Sequence, residues 1–395
     1  MQATRIKSFK PLGIKKTIDL EVDSTDHNFY LKNLITSNSH SISYANLAAI
    51  TIYLKFNYPQ QFYLSLLKYA QFEPNPHEEI SKITQELPLF GIKLLAPDLA
   101  QSEIDFIIQG NDIRYGLNSI KGVSTKSLES LIEFREGQFN NKYEVFLAAK
   151  QAGLNIGVLS ALIQAGVLDH FLNKDRCRLV LEAQAFNLLT DKEKRSVIAL
   201  GERFNYDVLK CIHECTSQSL VDDNNKLIFS EKRFTTFKSK YEPYKVIYEK
   251  NHKHLKFANW YFETKLLGYS HSTNIREVFT ENSGETLISS SGISELGNNE
   301  KIKFVGTVSD VISRTSARGN KYARLEMSDE SGNLTALMMD SQQNATYSNF
   351  IQSGKVLPKK GEVIILTGRK SNDIISINSL SPLEDKIYMK LSDVK

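Results

Sequence analysis

The sequence predicts a multidomain α+β protein: a short β segment, a long and mainly helical middle, and a small C-terminal β-barrel or sandwich. Three observations carry this. Residues 14–35 alternate apolar and polar positions around an Asp/Ser turn. Residues 44–171 place apolar side chains at helical spacing. Residues 301–380 hold five short alternating runs separated by Gly, Asp and Ser turns.

In order, Ile14–Val22 has Ile18, Leu20 and Val22 on one face, and Phe29–Ile35 is a second short run after the turn at Asp23, Ser24 and Asp26. The 38 residues of this segment are few for a core of their own, so it needs a partner. Leu47, Ile50 and Leu54, then Phe62, Leu66 and Leu67, mark two helices separated by Pro59. HEEISKITQELPLFG is a further helix that ends near Pro88 and Gly91. Ile113 to Phe171 reads as helical with two similar halves. IKGVSTKSLESLIEFRE is a tight turn entering a helix, and LNIGVLSALIQAGVLD is a second turn-helix that closes at Gly166. Residues 173–300 read as a poorly patterned helical connector with a polar stretch at DDNNK. Beyond it, IKFVGTVSDVI, YARLEMSD, LTALMM, VIILTGRK and IISINSL read as five strands of a small barrel or sandwich, with SGN as a turn.

Composition narrows the class. The 395 residues are 41% hydrophobic and 24% charged, as in ordinary globular proteins, and the net charge of +4 permits nucleic-acid binding without demanding it. The three cysteines, Cys177, Cys211 and Cys215, make no disulfide framework and point to a reducing compartment. Cys211, His213 and Cys215 have the donor types of a metal site, but no second cluster follows at ligand spacing, so no metal is expected. No apolar run approaches the ~20 residues of a membrane span, and the N-terminus lacks a secretory apolar core. The expectation is a cytoplasmic protein without a membrane partner.

The most informative stretch is TIDLEVDSTDHNFYLKNLITSN followed by SHSISY. An Asn side-chain amide can attack its own carbonyl carbon, forming a five-membered succinimide and breaking the peptide bond after it. If the next residue carries a hydroxyl, it can first accept an acyl group. Asn38 and Ser39 meet both needs. His27 can polarise the scissile carbonyl or move protons, and Asp19 can assist a nucleophile. The same residues also suit an ordinary β-hairpin bearing a surface histidine. The block TIDLEV, DHNF and a short strand ending in Asn resembles the C-terminal splicing block of inteins, over essentially all of residues 1–38. The resemblance implies a Hint-type β segment in which Asp19 assists the early acyl shifts, His27 promotes cyclisation of Asn38, and Ser39 is the branch nucleophile. The family often has His at the penultimate position, which is Ser37 here. A start at Met1, 38 residues before the junction, fits half of a split intein. It implies trans-splicing with a second chain that carries the N-terminal half.

SHSISYANLAAITIYLKFNYPQQFYLSLL resembles the fingers segment of the bacterial DNA polymerase III alpha subunit, through Ser39, His40, Ser41, Tyr44, Tyr53, Leu54, Lys55, Tyr58 and Pro59. The likeness continues through GIKLLAPD, IRYGLNSIKGV, LIQAGVLDH, KLLGY and the final β region. It implies fingers over 39–112, a helix-hairpin-helix region over 113–172, a connector over 173–300, an OB-fold over 301–382 and a tail over 383–395. His40 and Lys55 would lie near nucleotide and template, or His40 serves only structure. In the hairpin Gly122, Val123, Ser124 and Lys126 would meet a DNA phosphate through backbone N–H groups and a cation, or merely cap a helix. The family usually has a second glycine where Ser124 stands. On the barrel Arg314, Arg318, Lys321, Tyr322 and Arg324 suit single-stranded DNA, or form a solvated strand. NKLIF (225–229) is the best match to a sliding-clamp peptide.

A polymerase also needs a carboxylate cluster for two Mg²⁺ ions. In this family it lies in the palm, upstream of the Ser-His-Ser motif, and Asp222-Asp223 sits in a polar stretch that cannot supply it. The resemblance therefore implies no cofactor in this chain, Mg²⁺ in a partner chain, and three partners: an N-terminal polymerase fragment fused to the other intein half, primer-template with single-stranded DNA, and a sliding clamp as a further candidate. The rival readings are a non-catalytic DNA-binding subunit that assembles without splicing, and a decayed remnant with no activity.

Overall fold

The computed structural model describes residues 28–31, 34–37, 40–123, 125–170, 175–216, 229–283, 287–317, 319–340 and 345–394. Asp19, His27, Asn38, Ser39, Ser124, Arg318, Asp222, Asp223 and the strand expected at Ile14–Val22 lie outside the described residues. The chain forms two compact units, Met1–Phe62 and Tyr63–Lys395.

In the first unit, β1 (Asn28–Leu31) and β2 (Leu34–Ser37) pair antiparallel, Asn28 opposite Ser37 and Leu31 opposite Leu34. The run expected as one strand over Phe29–Ile35 is thus a hairpin. Helix α1 (His40–Asn57) follows. It keeps its apolar spacing, yet Tyr44, Leu47, Ile50, Ile52, Tyr53 and Phe56 are all more than half exposed. Helix α2 (Pro59–Ala70) starts with proline at its first position, where the missing N–H costs nothing.

The second unit continues with α3 (Pro76–Glu86) and a 3₁₀ turn over Leu87–Phe90 that ends at Gly91 in the left-handed conformation, φ +68°. Strands β3 (Leu94–Leu95), β4 (Ile107–Gln109) and β5 (Asp112–Arg114) make a small sheet in the order β3-β5-β4. Ile113 is therefore a strand residue and not the start of a helix. Gly110, at φ +62°, and Asn111 form the two-residue turn of a β4–β5 hairpin. Helices α4 (Leu128–Arg135), α5 (Lys142–Gln151), α6 (Ile156–Gln164), α7 (Arg176–Asn187), α8 (Asp191–Ala199), α9 (Val208–Thr216), α10 (Glu231–His252), α11 (Leu255–Leu267) and α12 (Ile275–Ser283) follow. Their starts carry side-chain caps where the sequence offers them. Asn141, Asn155, Asp175 and Ser230 accept backbone N–H groups, and Thr190 with Glu193 forms a capping box.

Strands β6 (Lys301–Thr315), β7 (Lys321–Asp329), β8 (Gly332–Met339), β9 (Val363–Ser371) and β10 (Ile374–Pro382) close into a barrel in the order β10-β8-β7-β6-β9, with α13 (Thr346–Gln352) between β8 and β9. The β10–β8 pair is parallel and the other pairs are antiparallel. Alternation decides the inside: Phe304, Ala323, Leu325, Met327, Ala336, Met338, Leu366 and Ile375 are buried together.

A buried ion cluster ties the helices together. Arg176, at the start of α7, is 2% exposed, and Glu263 of α11 is fully buried. The guanidinium donates to Asp169 through Nε and Nη2 (3.0 and 2.6 Å), and through Nη1 to Glu263 Oε1 (2.6 Å) and the Gln164 carbonyl (3.3 Å). Glu263 Oε2 accepts from Ser270 Oγ, His271 N and Ser272 N at 2.7, 2.8 and 3.0 Å. Gly166, at φ +84°, is the seat: a Cβ there would run into the guanidinium. Burial opposes the charge on Glu263, but His271, Arg176 and Ser270 outweigh it and hold the carboxyl below its ordinary value. Burial holds the His271 imidazole below its ordinary 6.5 although Glu263 pulls the other way.

Replacing Arg176 by Met leaves Glu263 buried without its charge partner and should cost about 3–5 kcal/mol in urea unfolding. A loss below about 1 kcal/mol would show that the cluster is not holding the helices. Acid should also weaken the fold. His271 is neutral in the fold and takes up a proton on unfolding once the pH falls below 6.5. Glu263, with its lowered value, loses its contribution further down, as pH falls through its folded pKa. Melting curves from about pH 7 to about pH 5 should show a falling Tm, and His271→Gln should flatten that slope.

Candidate nucleic-acid interface

Two turn-helix units lie side by side. In the first, a 3₁₀ turn over Leu117–Ser119 leads through Ile120 and Lys121 to Gly122, at φ +98°, with Val123 N donating to Ile120 O at 3.0 Å. A second 3₁₀ turn over Thr125–Ser127 then enters α4. In the second, α5 ends at Gly153, at φ +80°, and Leu154 and Asn155 lead into α6. Both glycines hold a backbone that L side chains rarely adopt. The expected residues Gly122, Val123 and Lys126 therefore sit on a genuine hairpin, with Lys121, Gly122 and Lys126 exposed. The sequence reading takes the second unit as a turn-helix similar to the first but names no phosphate-contacting residues in it. Its Gly153-Leu154-Asn155 repeats Gly122-Val123-Ser124 in residue type, and that repeat is the signal that would have found it.

The hairpins are locked to neighbours rather than free. A Cβ on Gly122 would lie 3.6 Å from the Ala161 Cβ of α6. Lys121 N donates to Leu266 O at the end of α11 (2.9 Å), and the buried Tyr115 hydroxyl donates to Leu267 O (3.0 Å). Asn155 Oδ1 accepts from Val158 N at 2.9 Å, leaving the N–H groups of Ile156 and Gly157 at the helix start without intrahelical partners.

On the barrel, the β6–β7 register sets Arg314 directly opposite Tyr322 and Thr315 opposite Lys321. Arg314, Tyr322 and Arg324 share the outward face, since Ala323 and Leu325 point into the core. Arg314 and Lys321 are exposed. Arg324 is paired with Glu326 at 2.6 Å, so its charge is shared locally. Tyr347 of α13 reaches the same strand, its hydroxyl 2.9 Å from Ser313 Oγ.

The remaining candidates are scattered. Among the described residues of the first unit, His40 opens α1 and Lys55 lies in its last turn. The clamp-peptide reading of NKLIF needs correction: Phe229 is 2% exposed and packs edge-on against Phe237, so it is not presented to a partner. Residues 225–228 lie outside the described residues. Cys211 and Cys215 are buried on one face of α9 while His213 is exposed, so the three do not converge. Among the described residues no three His, Cys, Asp or Glu side chains gather to hold a metal, and no helix is long and apolar enough to cross a membrane.

Residues 91–179, which contain both hairpins, match a family model described as a helix-hairpin-helix motif. The chain is 25% identical over 308 residues, 76% of its length, to the DNA polymerase III subunit alpha of Thermus aquaticus. It is 33% identical over 147 residues, 36% of its length, to that of Aquifex aeolicus. The Campylobacter jejuni subunit matches at 24% over 318 residues. The chain spans 22%, 12% and 23% of these relatives, so it resembles a part of them. A mitochondrial single-stranded DNA binding protein of S. cerevisiae aligns with 22% of the chain and 97% of its own length, at 17% identity and a TM-score of 0.18. A score that low carries no argument, and the barrel is characterised by its own strand order.

Asn155→Ala should remove the cap of α6 and cost about 1 kcal/mol, while Asn155→Asp should keep it. Equal chemical-denaturation midpoints for all three proteins would show that the cap does not hold the second hairpin.

Proposed function

We propose that this chain is the DNA-holding C-terminal part of a replicative DNA polymerase alpha subunit, joined by trans-splicing to a palm-bearing N-terminal part. One observation carries the polymerase reading: similarity to DNA polymerase III alpha subunits runs along 76% of the chain and takes in the tandem hairpins. In this reading the hairpin N–H groups and Lys121 and Lys126 hold duplex phosphates behind the primer end. The barrel face of Arg314 and Tyr322, with Lys321 at the end of β7, guides the single-stranded template through charge and stacking. Arg324 lies on the same face and is partly neutralised by Glu326, and the sequence reading adds Arg318 as a further cation.

Template-directed synthesis needs the palm carboxylates and their Mg²⁺, which this reading assigns to the partner chain. The exposed apolar side chains of α1 support such a partner, because a helix of this kind needs cover. Splicing would supply it covalently. The partner's acyl group passes to Ser39 Oγ, Asn38 cyclises with help from His27 and releases residues 1–38, and the ester rearranges to an amide. The junction block of Asp19, His27, Asn38 and Ser39 supports this step, which leaves the Ser-His-Ser motif intact. A cytoplasmic setting goes with it.

Two experiments test the reading. Binding of the full chain to primer-template should weaken steeply with salt, and Lys126→Ala should lower the log–log slope by about 0.9. An unchanged slope would remove Lys126 from the interface. Mass spectrometry on the native host should find SHSISYANLAAITIYLK preceded by residues not encoded here. Asn38→Ala should leave residues 1–38 attached. Recovery of an uncut LITSNSHSISY as the sole form would overturn splicing and favour non-covalent assembly.

A further inference from the structure

Behind the two hairpins lies a cavity of about 500 Å³, within the ~300–1,000 Å³ range of small-molecule sites. One wall is a face of α6, with Gly157, Ser160, Ala161 and Gln164 in successive turns. The start of α6 opens into it, and Lys121 and Lys390 line it. Lys265 also lines it but donates to Gly361 O and lies 3.6 Å from Glu384, so its charge is engaged elsewhere. No carboxylate side chain lines the cavity among the described residues. Tyr244 and Tyr248 of α10 form the opposite wall.

The inner end holds an independent sign of a ligand. Gln164 is 8% exposed and its side chain lines the cavity. Its carbonyl accepts from Arg176, but its side-chain amide has no hydrogen-bond partner among the described residues. The amide opens onto the cavity, where a ligand can pair with both its nitrogen and its oxygen. Gln164 lies eight residues from Ile156, about 12 Å along the helix. The complementary ligand is therefore elongated: an anion at one end, a flat apolar middle, and an edge with both a donor and an acceptor at the other.

We infer that the cavity binds an adenine nucleoside monophosphate. The phosphate sits at the start of α6 beside Lys121, where free N–H groups and the helix dipole favour it. The ring lies along Tyr248, and the Gln164 amide pairs with adenine N6 and N7, as glutamine does in base recognition. The phosphate end shares Lys121 and the start of α6 with the duplex interface proposed above, whereas the base end at Gln164 lies outside that interface. A duplex phosphate can reach the exposed hairpin tips, but Gln164 and Phe262 lie too deep for a duplex backbone.

Calorimetric titration of the full chain with dAMP, deoxyadenosine, dCMP and inorganic phosphate tests this. dAMP should bind with a submillimolar Kd, and the other three should each be weaker by about tenfold or more. Gln164→Leu should weaken dAMP by about fivefold while leaving duplex DNA binding and the melting curve unchanged. If that variant does not fold, Tyr248→Leu should weaken dAMP in its place. No heat with millimolar dAMP, or phosphate binding as tightly as dAMP, would overturn the assignment. Equal losses of dAMP and duplex affinity in Gln164→Leu would also overturn it, by making the cavity part of the duplex face.

Discussion

The second unit depends on a charge that has no business being in a protein interior unless every valence is met. Arg176 brings a permanent cation to a nearly waterless place, and Glu263 and Asp169 answer it. Such a cluster adds little to stability beyond what apolar residues would, yet it severely penalises any arrangement that separates its members. Its geometry is therefore a specification. Arg176 opens α7, Asp169 follows the second hairpin unit, and Glu263 is in the middle of α11. Satisfying all three sets the hairpins, the long helical region and α11 in one relation.

Helix α11 extends that relation to the barrel. From one side it presents Glu263 to the cluster and backbone carbonyls of Leu266 and Leu267 to the first hairpin unit. From another, the Trp260 indole donates to Glu330 at the β7–β8 turn, which also accepts from Ile275 N. The Tyr261 hydroxyl bonds Glu384, and Lys265 donates to the Gly361 carbonyl. The hairpin region and the barrel thus share one spacer, α11, and their separation does not depend on a flexible linker.

How much of this was legible beforehand follows from where the charges went. The barrel strands alternate because their outer face meets water, so all five could be read from period two alone. The first hairpin was legible through Gly122 and the lysines. The second was harder, because its turn carries no lysine to suggest a phosphate and Asn155 there serves as the helix cap. The helices after Phe171 looked featureless for a physical reason. Helix α7 buries Arg176 and Glu182, and α8 buries Glu193 and Lys194, so the apolar stripe that marks an amphipathic helix is broken by paired charges. The β4–β5 hairpin was missed because its strands are only three residues long. The junction chemistry stands on sequence pattern alone, since Asp19, His27, Asn38 and Ser39 lie outside the described residues.

The bare apolar surface of α1 has a bearing on dosage. Aromatic and aliphatic side chains displayed on a water-facing helix are what chaperones and proteases bind, so a chain that stays uncovered is short-lived in a cell. Supply of this chain beyond its covering partner would be trimmed by quality control rather than accumulate. In the proposed reading, matching of amounts would need no dedicated regulator, because the exposed helix of an unjoined chain would itself mark that chain for removal.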